Sequence, residues 1–122
     1  MRTTFLTLSL FLAASTTYAA ALKCPEQHPA ANNKLIGVAL YDEKNKTQYD
    51  LAPSSDTHKG KMAYQTWDGF TSEADVKTYV RCNYLNTEET VTLEIPNTVK
   101  SCHFSFPYPD TKTSTLKANF EC

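Results

Sequence analysis

Hydrophobic and polar positions alternate along most of the chain after residue 34. A period of two marks strands, because successive side chains point to opposite faces. Residues 35–41, L-I-G-V-A-L-Y, form a mostly apolar run that predicts a central strand. The polar stretch D-E-K-N-K at 42–46 predicts a turn, with 47–51 returning as a hairpin partner. Residues 52–60, A-P-S-S-D-T-H-K-G, have the composition of a surface loop. Residues 61–67 predict a strand with Met62, Tyr64 and Thr66 on one face and Ala63, Gln65 and Trp67 on the other. Asp68-Gly69 is a turn dipeptide, since glycine tolerates positive φ.

The alternation resumes at 77–85, where Thr78, Val80, Cys82 and Tyr84 share a face. The polar residues 86–89 turn the chain, and 90–95 predict a strand with Val91, Leu93 and Ile95 on one side. After Pro96-Asn97, residues 99–106 put Cys102, Phe104 and Phe106 on a common face, and 115–122 close the chain as a last strand. Pro107 and Pro109 cannot donate to a central ladder, so they mark an edge or exit. The only helical signal is one turn at most, over 72–75. The expected fold is mainly β: six to seven antiparallel strands in a meander, forming a small sandwich or half-open barrel.

The first residues break this pattern. Arg2 is followed by a largely apolar stretch over 5–14, too short for the roughly 20 residues that span a bilayer. Thr17-Tyr18-Ala19 then offers small residues where a signal peptidase reads. Residues 1–19 are therefore read as a signal peptide, with Ala20 and Ala21 as neighbouring cleavage positions, and 20–122 as a single domain. A lipid-anchoring signal needs a small residue before its cysteine, whereas Lys23 precedes Cys24. Cys24 is thus read as half of a disulfide, with no membrane anchor and a periplasmic location.

The four cysteines, Cys24, Cys82, Cys102 and Cys122, imply two disulfides in an oxidising compartment. Of the three connectivities, Cys82–Cys102 (clipping neighbouring strands) with Cys24–Cys122 (tying the ends) is the preferred one. Their wide spacing is unlike the close pairs of a zinc site. The net charge is −1, and the lysines are scattered, so no basic stripe suggests nucleic acid.

His28, His58 and His103 fall in no catalytic or ligand spacing, and no nucleophile elbow, zinc-protease motif or phosphate loop occurs. With the cysteines bonded no thiolate nucleophile remains. No catalytic, metal or cofactor-binding residues are expected, and the chain is read as a binder rather than an enzyme. Six large aromatic residues, Tyr41, Tyr64, Trp67, Tyr79, Tyr84 and Tyr108, exceed what so small a core readily buries. Candidate partner-binding residues are Asp56, His58, Trp67, Asp68 and Tyr108. For Trp67 itself the core is the preferred place, and for 53–60 a solvated linker.

Several of these residues occur in a telling order. Cys24-Pro25, the strand ending Leu40-Tyr41, Leu51-Ala52-Pro53, Trp67, Arg81-Cys82-Asn83-Tyr84, and Ile95-Pro96 followed by Cys102 run through most of the mature chain. In this the sequence resembles a family of small exported proteins of Gram-negative bacteria, some associated with type VI secretion loci. It departs from that family after the first strand, where 42–46 replace a short glycine-containing turn. The resemblance implies a periplasmic immunity protein that neutralises a secreted toxin attacking peptidoglycan, with a toxin or cell-wall enzyme as protein partner. The competing readings are an inhibitor of host lysozyme and a carbohydrate-binding module of the cell wall.

Overall fold

β-branched and aromatic residues at every second position favour pleated strands that can bury one face. The computed structural model describes residues 22–71 and 73–122. The signal peptide assigned to 1–19, its cleavage positions and Ser72 lie outside the described residues. Eight strands follow in order: β1 (Leu35–Lys44), β2 (Thr47–Leu51), β3 (Ser55–Lys59), β4 (Met62–Asp68), β5 (Lys77–Tyr84), β6 (Thr90–Ile95), β7 (Ser101–Pro107) and β8 (Asn119–Glu121). They form two four-stranded sheets, β2-β1-β5-β6 and β3-β4-β7-β8, with every neighbouring pair antiparallel. The sheets are separate and not closed into a barrel. Among the described residues there is no helix.

The inward faces meet in one apolar cluster: Leu35 and Leu40 from β1, Val80, Cys82 and Tyr84 from β5, and Ile95 from β6. The other sheet supplies Trp67, Cys102, Phe104 and Phe120. A register shift between Leu35 and Gly37 inserts one extra residue in β1. That lets Leu35 and Val38 both pack against the core despite their odd spacing.

Three sequence expectations are corrected. The turn expected over 42–46 shrinks to Asn45-Lys46, both at positive φ (53° and 64°), and β1 runs on to Lys44. Two such residues make the mirror-image turn that matches strand twist, so no glycine is used. The loop expected over 52–60 contains β3, a strand exposed at all five positions, which has no apolar face to signal it. The last strand covers only Asn119–Glu121.

The disulfide pairing is also corrected. The bonds are Cys24–Cys82 and Cys102–Cys122, in place of Cys82–Cys102 and Cys24–Cys122. Cys82 and Cys102 lie in different sheets, because β6 pairs with β5 alone while β7 crosses to β4. Cys122 falls beside Cys102, one residue past the His103–Glu121 pair of β7 and β8. The segment 22–24 runs along β8: Cys24 N donates to Phe120 O, and Cys122 N donates to Leu22 O. Cys24 then reaches β5, so one crosslink ties the edge of one sheet to the interior of the other. The free edge of β8 is thereby covered.

Candidate partner-binding site

β3 and β4 form a hairpin closed by Gly60-Lys61, with Gly60 at φ 61°, a conformation open to glycine. Hydrogen bonds in an antiparallel ladder alternate from side to side. Tyr108 N donates to Lys61 O at 2.8 Å, which turns Lys61 and every second residue after it toward β7. Met62, Tyr64 and Thr66 therefore bond to β3, opposite Lys59, Thr57 and Ser55. Ser54 N donating to Thr66 O at 2.7 Å fits that direction. The same alternation puts Pro107, paired with Met62, where β7 needs no N–H.

It follows that Asp56 and His58 point their backbone N–H and C=O groups away from β4, along an open edge. Their side chains share a face. Asp56 Oδ2 accepts a hydrogen bond from Gln65 Nε2 at 3.3 Å. The His58 ring stacks on Tyr108, 4.7 Å between centroids at 21°. Tyr108 is 45% exposed, so the pair offers a wet aromatic surface. Just beyond, Asp110 accepts from the Thr113 hydroxyl and the Lys112 backbone N–H, which hold its carboxyl below the ordinary value and shape the loop that carries Tyr108.

The structure thus brings Asp56, His58 and Tyr108 together and sets the other two candidates apart. Asp68 exchanges hydrogen bonds with Ser54: the Ser54 hydroxyl donates to Oδ1 at 2.6 Å and accepts from Asp68 N at 3.0 Å, fixing the crossing between sheets. Trp67 is buried, 4% exposed, with Nε1 donating to Leu51 O at 3.0 Å and its ring set edge-on to Phe120. It is a core residue, as preferred from the sequence.

The structure also pairs two aromatic residues that the sequence does not link. Tyr41 stacks on Tyr79 on the outer face of the other sheet, flanked in register by Asp50 and Glu94, with the Arg81 guanidinium 5.8 Å from the Tyr41 ring centre. Pairing of β1 with β5 was the signal that would have found it. Tyr41 is only 7% exposed, so this stack mainly covers the protein's own sheet.

The histidines take quiet positions. His103 faces away from Cys102 and lies between the hydroxyls of Thr66 (3.2 Å) and Ser101 (3.3 Å). His28 Nδ1 accepts from the backbone N–H groups of Ala30 and Ala31. Among the described residues no group of three or more His, Cys, Asp or Glu is placed to hold a metal ion.

The profile of the type VI secretion system Tli immunity proteins matches residues 29–122, which take in all eight strands and three of the four cysteines. The chain belongs to the type VI secretion system Tli immunity protein family. No curated protein and no solved structure matches it. Membership of the Tli immunity family implies a toxin as protein partner and an inhibitory role. Two disulfides are consistent with export of this Tli immunity family member, and among the described residues no helix is long and apolar enough to cross a membrane.

Proposed function

We propose that this protein is a periplasmic antidote that binds a toxin delivered by type VI secretion and blocks it without turnover. Peptidoglycan is the target the sequence resemblance implies for that toxin. The observation that carries the reading is the family match over 29–122. The two disulfides and the leader read at 1–19 support a periplasmic site of action. The exposed group of Asp56, His58 and Tyr108 is the proposed contact region, with Asp68 holding its scaffold. A binder of this kind gains affinity from a surface that is already ordered, because little conformational entropy is lost on docking. Here the hairpin and the Asp110 turn provide that order.

The test is rescue. Cells that export a candidate type VI toxin, drawn from the reading frames adjoining this gene, are given the full chain, the chain without residues 1–19, or neither. Survival only with the full chain is expected, together with intact peptidoglycan. Death in all three cultures removes the antidote reading. Rescue without the leader removes the periplasmic site of action. Rescue from a toxin that leaves peptidoglycan untouched keeps the antidote and replaces the target.

A further inference from the structure

We infer that the toxin docks by adding an extended segment to the open edge of β3, as one more antiparallel strand of the sheet β3-β4-β7-β8. The inference rests on the antidote reading and specifies how the contact is made. Strand edges with unpaired N–H and C=O groups are templates for another chain, and proteins usually cover or blunt them. The β8 edge is covered by residues 22–24. The β3 edge is left bare over Ser55–Lys59, where all five residues are exposed and no register shift interrupts the pairing with β4. Asp56 and His58 offer two donors and two acceptors there. Main-chain bonds of this kind supply affinity, and alternate side chains supply specificity.

The side chains define the chemistry of the incoming segment. On one face stand Asp56 and the His58–Tyr108 stack. On the other stand Ser55, Thr57 and Lys59. In an antiparallel pairing the residue opposite Lys59 is acidic, and the next, opposite His58, is apolar or aromatic. The third is unrestricted, and the fourth, opposite Asp56, is Lys or Arg. Opposite charges facing across strands are favourable, and like charges are not. The toxin segment therefore reads acidic, apolar, any residue, basic, with a free N–H at the two positions that bond to Asp56 and His58. β2 and β6 are edge strands as well, and Tyr49 of β2 is exposed, but each carries a single acidic residue and no basic one, whereas β3 sets both Asp56 and Lys59 beside the His58–Tyr108 stack.

Amide hydrogen exchange on the wild-type protein tests this directly, free and bound to the purified toxin of the rescue experiment. In the free protein the amides of Asp56 and His58 exchange fast, while those of Thr57 and Lys59 are already bonded to β4. In the complex the Asp56 and His58 amides are expected to slow by about a hundredfold or more. A paired substitution adds a second readout. His58→Ala removes the ring alone, whereas His58→Pro also removes the outward N–H and leaves the β4 ladder intact. Proline is expected to weaken binding by about tenfold or more beyond alanine.

A complex in which both amides exchange as in the free protein overturns the inference and leaves the antidote reading standing. So does equal binding by the two variants. Protection of those amides without toxin, at concentrations where the chain dimerises, assigns the edge to a second copy and also overturns it. Absence of any complex with the toxin removes both readings together.

Discussion

Replacing both ends of the Cys24–Cys82 crosslink by alanine probes what holds the two sheets together. Alanine is chosen because Cys82 is fully buried, and serine would leave a hydroxyl without a partner there. The bond spans 58 residues of sequence. In the chain-entropy account a loop of that length restricts the unfolded chain by about 4 kcal/mol at 25 °C, against about 3 kcal/mol for the 20-residue separation of Cys102–Cys122. The longer crosslink also anchors residues 22–24 along β8, so its loss frees that edge as well. Domains of this size are stable by about 5–15 kcal/mol, so either loss is a large fraction of the total. Urea unfolding of the two double variants and the parent supplies the numbers. For a slope of about 1.5 kcal/mol/M, Cys24→Ala/Cys82→Ala is expected to lower the midpoint by roughly 3 M, and Cys102→Ala/Cys122→Ala by roughly 2 M. A reversed order, or a loss below about 1 kcal/mol for the long crosslink, refutes the reasoning that it acts by constraining the unfolded chain.

Four further outcomes are expected. The crosslinks join the first cysteine to the second and the third to the fourth, the order in which they emerge during export. Cells lacking a disulfide isomerase but retaining an oxidase should therefore yield the native pairing, checked by peptide mapping. Trp67→Phe removes the donor to Leu51 O and part of the core, and should cost about 1–2 kcal/mol by chemical denaturation. Lys46→Gly relieves a side chain at φ 64° in the β1–β2 turn and should stabilise by about 0.5–1 kcal/mol in the same assay. The Tyr84 hydroxyl donates to Pro25 O at 2.8 Å, and burial pushes its pKa above the usual 10.0. Its unfolded form then ionises first, so the folded protein binds more protons above that pH and stability falls as pH rises. Tyr84→Phe should flatten that alkaline decline in thermal melts.

The strands were legible wherever one face is buried and the other is wet. Residues 77–85 and 90–95 alternate cleanly because Val80, Cys82 and Ile95 look into the core while their neighbours meet solvent. β3 was hidden for the opposite reason. An edge strand exposed at every position has no inward face, and its polar sequence reads as loop. The same property makes it a candidate site, so the proposed contact region is the part of the chain that periodicity does not mark. Asp56 and His58 were singled out from that stretch, yet their joint placement with Tyr108 depends on β4 lying between β3 and β7. The disulfide pairing failed on the same ground. Alternation marks Cys82 and Cys102 as inward but carries no sign that β5 and β7 belong to opposite layers. Trp67 was placed correctly because its alternation partner Ala63 is also inward, and both are buried.

The proposed antidote function requires one property, inhibition of a delivered toxin by stoichiometric binding. Titrating the purified, oxidised domain into the toxin of the rescue experiment, while following the toxin's own activity, measures that property directly. The expected result is a linear fall in activity that reaches its floor near one equivalent, with the inhibitor recovered unchanged. Full toxin activity in the presence of a large molar excess of correctly crosslinked protein would contradict it.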